Sequence, residues 1–391
     1  SNAMYDGLSR DEQRLLNHVR EYGEKYFTPA SISKWRKDQG LPDEVVKAFV
    51  DLDFNGFGVI HRRNHRTYDL FAQVLVIEEL SRISGACLPF QNDLLQLQIL
   101  EAFASSAQTS PFRTEYQDTG RLSYALAISE PEAGSDTRSM RTHVTREGDT
   151  LVMNGTKMFV NNGEYAPALL VSAYDKTGDD GEPEFSFWMV PRSAAGIYAY
   201  PEQKIGQSML PFATVRFDNV EVKESWRLKG SSKGFSQLYS LLEYGRVFTC
   251  AAALGEAQAA MEDAVAWARG REAFGQRIAD LQQVQMKLTE MEVKLTNMRN
   301  LVYGAAREYD RGEHKRLSVA LMKYYVPKAA TEVASDAMQI LGGRGYIQEN
   351  RVSSIWQDCR GYQFADGTDE VMVVIAAPLI LEQYKASKNN R

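Results

Sequence analysis

The sequence predicts an α+β fold, in which an N-terminal helical domain is followed by a central antiparallel β domain and a C-terminal helical bundle. Three observations support this prediction. Apolar residues recur at helical spacing over the first third of the chain, form short β-rich runs from about residue 123, and return to helical spacing after about residue 230. With 391 residues, the chain is also too long for one ordinary core. We therefore expect three domains, at residues 4–122, 123–229 and 230–391.

The first domain opens with a helix-start signal. Ser9 and Glu12 have the spacing of a capping box, in which each side chain accepts a backbone N–H of the other residue. The apolar residues that follow on one helical face are Leu15, Leu16, Val19 and Tyr22. A second helix is expected after Pro42, and a third that ends at Ser84-Gly85.

The middle domain is predicted from a change of period and from turn signals. Its short β-rich runs are Leu151-Val152-Met153, Leu169-Leu170-Val171, Phe185-Ser186-Phe187-Trp188 and Thr214-Val215-Arg216-Phe217. Turn signals stand at Asn154-Gly155, Asn162-Gly163 and Asp180-Gly181. Because no helix-length segment separates these runs, we expect an antiparallel sheet rather than βαβ units.

The last domain carries long helical patterns. Apolar residues alternate spacings of four and three at Val284, Leu288, Met291, Leu295, Met298, Val302 and Ala305. That pattern predicts a long helix with a bundle seam. A further helix is expected over Ser318 to Leu341, kinked at Pro327, and a last one from about Glu370 past Leu381.

Composition excludes several classes of protein. The formal net charge of −6 argues against a nucleic-acid binder, and no apolar run is long enough to span a bilayer. Cys87, Cys250 and Cys359 are far apart and odd in number, which suits a reducing cytoplasm and excludes a thiolate metal cluster. His61 and His65 have a spacing that metals can use, but no other ligands accompany them, so we expect no metal site.

Three sequence motifs lie in order along the last two domains. They are Ala127-Ile128-Ser129-Glu130-Pro131-Glu132-Ala133-Gly134-Ser135-Asp136, Arg271-Glu272-Ala273-Phe274-Gly275 with Gln282 and Gln285 downstream, and Gln339-Ile340-Leu341-Gly342-Gly343-Arg344-Gly345. Together they resemble the T-E-P-x-A-G-S-D, R-x-x-F-G and Q-I-L-G-G-x-G motifs of the acyl-CoA dehydrogenase superfamily, over roughly residues 120 to 385. No G-x-G-x-x-G follows a strand, so a Rossmann site is not indicated.

The resemblance implies an FAD site. Glycines and small hydroxyls let backbone N–H groups approach a pyrophosphate closely. Ser129, Gly134 and Ser135 match family positions along the flavin and its phosphates. In the family, a neighbouring subunit's FAD is reached by the positions matching Arg271, Phe274, Gln282, Gln339, Gly342 and Gly343. The resemblance thus implies a homo-oligomer, with a tetramer as the family norm.

The same resemblance assigns the catalytic base. Aligned on Gly367-Thr368, Asp366 occupies the position at which the family usually has a glutamate that removes the α-proton of an acyl thioester. The aspartate is one methylene shorter, which withdraws its oxygens by roughly 1 to 1.5 Å. The nitroalkane oxidases, relatives within the superfamily, use aspartate at this position. An Asp-Gly turn without catalytic function is the alternative.

Other departures from the family pattern lie around the expected site. The position at which some relatives carry their base holds Gly245, which cannot serve, and Glu243 with Arg246 is expected to form a substrate pocket or a structural ion pair. Phe159 replaces the family's tryptophan and can still stack on the flavin, while Asn161 replaces a threonine and can still donate to N5. Thr368 and Glu370 match further cofactor positions.

The resemblance leaves the reaction and its partners open. The leading interpretation is a cytoplasmic FAD-dependent oxidoreductase that interconverts acyl-CoA and 2-enoyl-CoA, with electron transfer flavoprotein as the expected partner. A carrier-protein thioester, a nitroalkane oxidase-like reaction and a non-catalytic family member are alternatives. The segments Lys294–Leu301 and Ala337–Ile340 most resemble the crotonobetainyl-CoA reductase branch. The basic run His61–Arg66 could meet a CoA phosphate or an acidic carrier, or be a solvated loop.

Overall fold

The structure is a computed structural model that describes residues 7–52, 69–131, 139–180 and 182–388. The basic run at 61–66 and the expected cofactor residues Gly134 and Ser135 lie outside these ranges.

The N-terminal part is helical. Its helices are α1 (Arg10–Tyr26), α2 (Pro29–Asp38), α3 (Asp43–Asp51), α4 (Leu70–Ser84), α5 (Phe90–Phe103) and α6 (Ser106–Thr119). The capping box of α1 is confirmed, since the N–H of Glu12 donates to Ser9 Oγ and the N–H of Ser9 donates to Glu12 Oε1. The helix after Pro42 is α3, and α4 ends at Gly85 in a left-handed conformation.

The middle part forms one seven-stranded sheet over the described residues. Its strands are β1 (Tyr124–Ala127), β2 (His143–Glu147), β3 (Thr150–Asn161), β4 (Ala168–Asp175), β5 (Glu184–Pro191), β6 (Ile197–Glu202) and β7 (Phe212–Val222). The strand order is β1-β4-β2-β3-β7-β6, with β5 paired to β4. One face of this sheet buries its own apolar cluster around Trp188 and Phe217.

Two details of the sheet differ from expectation. Most pairings are antiparallel, but β4 runs parallel to both β1 and β2. Asn154-Gly155 is not a turn, because both residues lie inside β3, where His143 pairs with Asn154 and Gly155 pairs with Phe217. The register shift between Met153 and Gly155 shows how pairing on both sides of β3 overrides the local turn preference.

The C-terminal part is a helical bundle followed by two shorter helices. Its helices are α7 (Gly234–Gly270), α8 (Gln282–Asp310), α9 (Arg316–Leu341), α10 (Arg351–Tyr362) and α11 (Asp369–Lys388), with a small hairpin of β8 (Glu272–Ala273) and β9 (Gln276–Arg277) after α7. The predicted seam of α8 is buried at Met291, Leu295 and Met298, and α9 continues without a break through Pro327.

Helix α7 is the centre of the molecule. It packs on α4, α5, α8, α9 and α10. Its alanine-rich stretch Ala251–Ala253 is fully buried, and Gly255 lies so close to the α4 backbone that no side chain could fit there. On α10, Asp358 accepts the backbone N–H of Cys87 at 3.2 Å and of Gln207 at 2.5 Å. This one carboxylate therefore joins loops of the helical and β parts to the bundle.

Candidate active site

The turn that carries Asp366 lies between α10 and α11. Asp366 and Gly367 both have positive φ, 56° and 101°. Asp tolerates the left-handed region better than most residues, but such backbone strain persists only where surrounding contacts enforce it. Arg246 Nε donates to the carbonyl oxygen of Asp366 at 2.9 Å, and Lys323 Nζ donates to that of Gly367 at 2.9 Å. Two cations thus hold the turn from opposite helices, α7 and α9.

Both of these cations are buried. Burial lowers the pKa of the Arg246 guanidinium, and the nearby charges of Asp366 and Glu243 oppose that shift. Burial likewise lowers the pKa of Lys323, while Cys250, Asp366 and Asp369 act in the opposite direction. The turn that carries Asp366 therefore lies between two buried cations, one on each helix.

The Asp366 carboxylate rests against one face of α7. Thr249 Oγ1 donates to Asp366 Oδ2 at 2.8 Å. A Cβ atom built on Gly245 would lie 3.3 Å from Asp366 Oδ1 and 2.8 Å from Leu95 Cδ2. Gly245 and Thr249 are one helical turn apart and so share a face. Among the described residues, Thr249 is the one donor to this carboxylate, which leaves Oδ1 without a hydrogen bond.

The second acidic residue, Glu243, lies in a different environment. Its Oε2 accepts from the Tyr309 hydroxyl at 3.0 Å and pairs with His314 Nε2, and its Oε1 pairs with Arg316 Nε at 3.3 Å. The His314 ring stacks on Tyr309, with centroids 3.9 Å apart. Over the described chain, Glu243 forms an ion pair with Arg316 and contacts the His314 ring, so the structural ion pair with Arg246 does not form and the expected substrate pocket stays a prediction.

The β part supplies the opposite side of the site. Phe159 has φ 56° and is 53% exposed, and its ring lies 5.4 Å from that of Phe212. The β3–β7 ladder shifts register between Lys157 and Val160, which leaves Phe159 in an irregular stretch. Asn161 Nδ2 donates to Asn92 Oδ1 of α5 at 3.1 Å.

Helix α5 connects the two sides. Asn92 contacts Asn161 of β3, and Leu95, three residues later on the same face, approaches Gly245 beside Asp366. The predicted residues Phe159, Asn161 and Asp366 are thus brought to one region by a helix that the sequence motifs did not include.

Glu130 and Lys157 form a buried ion pair that the sequence analysis missed. Lys157 Nζ donates to Glu130 Oε2 at 2.8 Å, to the Ile128 carbonyl at 3.0 Å and to Ser172 Oγ at 3.0 Å. Glu130 also accepts the backbone N–H of Arg141 and Thr142. Burial alone would raise the pKa of Glu130, but the Lys157 charge and these hydrogen bonds outweigh it and hold that pKa below its usual range.

This pair fixes the first motif to the sheet. Ser129, the neighbour of Glu130, accepts the N–H of Met158 on β3 at 2.8 Å, and its hydroxyl has no partner among the described residues. The motif glutamate is therefore structural, and its effect is to present Ser129 next to Phe159. A lysine two residues before an expected flavin contact was the available signal for this pairing.

The remaining expected cofactor residues lie on the surface of the described chain. Those exposed are Arg271, Phe274, Gln282, Gln339, Gly342, Gly343 and Glu370. Phe274 has φ 54° and is 93% exposed. The guanidinium groups of Arg271 and Arg344 lie 5.5 and 5.2 Å from the Trp267 ring, which brings the second and third motifs together. Thr368 accepts the N–H of Val371 and so caps α11.

These side chains fit a flat, polar cofactor such as a flavin. The half-exposed Phe159 ring offers a stacking surface, and the Ser129 hydroxyl, which has no partner in the part of the chain that the structure describes, and the Asn161 amide offer hydrogen bonds beside it. Gly342 and Gly343 have open space where a side chain would project, which is what backbone N–H groups need to approach a phosphate. Residues 132–136 of the first motif cannot be included, since they lie outside the described residues.

Comparison with known proteins identifies the family. Models of the acyl-CoA dehydrogenase N-terminal, middle and C-terminal domains match residues 9–116, 125–220 and 232–380. The protein named Probable acyl-CoA dehydrogenase YdiO of Escherichia coli (strain K12) is 34% identical over 383 residues, which is 97% of this chain and 98% of that protein. The chain belongs to the acyl-CoA dehydrogenase family.

Two solved structures extend the comparison. The crystal structure of acyl-CoA dehydrogenase from Slackia heliotrinireducens DSM 20476 is 97% identical with TM-score 0.93, over 98% of this chain and all of that one. A chain in the structure of the electron transferring flavoprotein of Acidaminococcus fermentans is 25% identical with TM-score 0.83, over 96% of this chain and 99% of that one.

Family membership settles the class of protein. The superfamily resemblance carried by the motifs and the fold class predicted from the spacing of apolar residues are confirmed. The chain is therefore an FAD-dependent oxidoreductase of the acyl-CoA dehydrogenase type. No helix over residues 7–52, 69–131, 139–180 and 182–388 is long and apolar enough to cross a bilayer. No group of metal-ligating side chains occurs in the same ranges.

Proposed function

We propose that this acyl-CoA dehydrogenase-type protein interconverts an acyl thioester and its 2-enoyl thioester, with Asp366 as the proton-transfer group. The observation that supports this most is the state of the Asp366 carboxylate. One of its oxygens is held by Thr249 and the other has no hydrogen bond among the described residues, whereas both oxygens of Glu243 are paired. A carboxylate that accepts a proton needs an oxygen open to the substrate.

The chemistry follows from the thioester. Its carbonyl group acidifies the hydrogen on the α-carbon, and Asp366 Oδ1 takes that proton. The electron pair of the broken C–H bond forms the new double bond as the β-hydrogen leaves with its own pair. FAD, bound by this chain, supplies the hydride acceptor. In the reverse direction Asp366 returns the proton to the α-carbon, so the same residue serves a reductase.

The roles of the other residues follow from their positions. Ser129, Phe159 and Asn161 would hold the ring of FAD and Thr368 its polar groups, and the family resemblance alone gives Gly134 and Ser135 the same task. Arg246 and Lys323 keep the Asp366 turn in place. The charged cluster of Glu243, Tyr309, His314 and Arg316 would bind a polar part of the thioester away from the reacting carbon. Burial and the charge of Glu243 raise the pKa of Tyr309, so this hydroxyl remains a donor at neutral pH.

We also propose a homo-oligomer, a tetramer by family analogy, in which one subunit completes the FAD site of another. The exposed ring of Phe274 and the open backbone at Gly342 and Gly343 support this, because in the family the matching positions reach the FAD of a neighbouring subunit. Electron transfer flavoprotein is the proposed electron partner, in line with the structure of that name to which this chain is similar. The cytoplasmic location remains a prediction, supported by three buried free thiols.

An anaerobic titration tests this function. The purified holoenzyme is mixed with a panel of acyl-CoA thioesters, and the absorbance band of oxidised flavin is followed. Bleaching by one acyl class supports the proposal and names the substrate class. A yellow protein that no acyl-CoA bleaches is tested next with 2-enoyl-CoA thioesters after reduction by dithionite, and reoxidation would identify a reductase like the crotonobetainyl-CoA reductase branch.

Two other outcomes would contradict the proposal. Release of hydrogen peroxide with a small nitroalkane but no thioester would identify a nitroalkane oxidase-like enzyme. A colourless protein that takes up no FAD on reconstitution would identify a non-catalytic member. Bleaching by an acyl carrier protein thioester, but not by the same acyl-CoA, would keep the reaction and change the carrier.

A further inference from the structure

Two residues of α7 form the surface on which the Asp366 carboxylate lies. Gly245 and Thr249 are separated by one helical turn, and both are buried. Neither belongs to the three motifs. Gly245 leaves room for the Asp366 carboxylate, and Thr249 donates a hydrogen bond to it.

Gly245 leaves the room. A Cβ atom at this position would lie 2.8 Å from Leu95 Cδ2, a distance that side-chain carbons do not tolerate, and 3.3 Å from Asp366 Oδ1. Leu95 is itself buried on α5, so its side chain would have to change conformation inside the core. Any residue larger than glycine would therefore displace either Leu95 or the carboxylate.

Thr249 donates the hydrogen bond. The hydroxyl of a threonine inside a helix commonly donates a hydrogen bond to the carbonyl oxygen four residues earlier. Thr249 instead donates to Asp366 Oδ2 at 2.8 Å, across 117 residues of sequence. A hydrogen bond to an ionised acceptor is stronger than a neutral one and fixes the rotation of the carboxylate about its last bond.

We propose that Thr249 is a positioning residue for Asp366, and that Gly245 provides the space this position requires. The hydroxyl holds Oδ2, so that Oδ1 faces the substrate and accepts the α-proton. This inference rests on the proposed function, because it needs Asp366 to be the proton-transfer group. It offers a reason why an aspartate can serve where a longer glutamate is usual. The shorter side chain lies against α7, and the hydrogen bond from Thr249 restrains the rotation of its carboxylate.

The energetic scale of this arrangement is testable. A misplacement of the reacting atoms by about 1 Å can cost about a hundredfold in rate. A valine at 249 has nearly the shape of threonine but no hydroxyl, and a serine keeps the hydroxyl without the methyl. Thr331 of α9 offers a matched control, because it is half-buried in a helix and donates to its own helix at the Pro327 carbonyl.

The experiment compares Thr249→Val, Thr249→Ser, Thr331→Val and Asp366→Asn holoenzymes in anaerobic single turnover with the acyl-CoA that bleaches the wild type. We expect Thr249→Val to bleach about 10- to 100-fold more slowly at saturating substrate, with the Kd of acyl-CoA changed less than about threefold. Thr249→Ser should recover most of the rate and Thr331→Val should match the wild type. Substrate deuterated at the α-carbon should show a larger isotope effect with Thr249→Val, which a purely structural role would not produce.

The outcomes separate this inference from the proposed function. If Asp366→Asn is inactive while Thr249→Val bleaches at the wild-type rate, the positioning role is wrong and the proposed function stands. Equal losses in Thr249→Val and Thr249→Ser would also overturn the positioning role, since the hydroxyl would then not be the cause. If no acyl thioester bleaches the wild type and no 2-enoyl thioester reoxidises its reduced form, or if Asp366→Asn bleaches normally, the proposed function is wrong and this inference with it.

Discussion

The Asp366 carboxylate lies against the stretch of α7 that carries Glu243, and these two carboxylates differ in almost every contact. Glu243 is paired at both oxygens, with a phenol, an imidazole and a guanidinium. Within the described ranges, the Asp366 carboxylate receives one hydroxyl hydrogen bond, and the neighbouring cations bond to backbone carbonyls instead of to this carboxylate. A saturated carboxylate binds and orients, whereas one with an open oxygen can accept a proton. On this contrast we propose proton transfer for Asp366 and substrate binding for Glu243.

The strongest way to break this comparison is to remove the charge of Asp366 without changing its shape. Asp366→Asn should lower the rate of anaerobic flavin bleaching by acyl-CoA by about 10³-fold or more, because a positioned general base contributes about 10² to 10⁴ in rate. The FAD content and the urea-unfolding midpoint should stay close to the wild type. Bleaching within about tenfold of the wild-type rate would remove Asp366 as the proton-transfer group.

Glu130 sharpens the comparison as a third carboxylate, whose role is structural alone. Glu130→Gln removes one partner of a buried ion pair, which typically costs about 3–5 kcal/mol in the free energy of unfolding. We expect a loss of this size in urea unfolding at pH 7 and fixed protein concentration. Glu147→Gln, an exposed change in the neighbouring strand β2, should be nearly neutral.

The pH dependence of that variant follows from the lowered pKa of Glu130. Because the folded pKa is below the ordinary value of 4.5, the carboxylate stabilises the fold above that pH and loses its contribution as the pH falls through the folded value. The wild type should therefore lose stability on acidification below about pH 4.5 more steeply than Glu130→Gln. Parallel pH profiles for the two proteins would contradict the ion pair.

The space beside Asp366 gives an intermediate test. Gly245→Ala places a Cβ atom against Leu95 and the carboxylate, and should slow bleaching by about 10- to 100-fold. Gly304→Ala is the matched control, since nothing lies within 4 Å of its Cβ position on α8. The control should leave the rate unchanged and stabilise the helix by about 0.5–1 kcal/mol. Equal rates for both variants would show that Asp366 does not depend on this space.

The smallest expected effect belongs to Glu243. Glu243→Gln leaves the hydrogen bond of Tyr309 possible but removes the charge that faces His314 and Arg316. We expect acyl-CoA to bind about tenfold more weakly, with the bleaching rate at saturation within about threefold of the wild type. A loss of the saturating rate comparable to that of Asp366→Asn would reverse the two assignments.

The parts that sequence predicted well depend on local signals. The capping box at Ser9 and Glu12, the seam at Met291 to Met298 and the strand at Leu169 to Val171 each follow from nearest neighbours in the chain. Asn154-Gly155 failed as a turn because pairing with β2 and β7 outweighs its local preference. The parallel neighbours of β4 were missed for the same reason, since the order of strands is decided by packing.

The site shows the same division. Asp366 could be predicted from its alignment on Gly367-Thr368, and its catalytic role stays a prediction. The hydrogen-bond partner of Asp366 could not be predicted, because Thr249 is 117 residues away in the sequence. Nothing in the local sequence around Thr249 indicates this contact. Nothing in the sequence relates Glu130 to Lys157 until the segment after β1 meets β3, where the N–H of Met158 donates to the Ser129 carbonyl. The domain boundaries at 122 and 229 likewise remain predictions.

The central claim is that Asp366 removes the α-proton, and hydrogen exchange tests it without any need for turnover. The holoenzyme is incubated in D₂O under anaerobic conditions with the saturated acyl-CoA that bleaches it, and deuterium at the α-carbon is measured by mass spectrometry. We predict that the wild type and Glu243→Gln incorporate deuterium well above the enzyme-free rate, and that Asp366→Asn does not. Incorporation by Asp366→Asn at the wild-type rate would contradict the account.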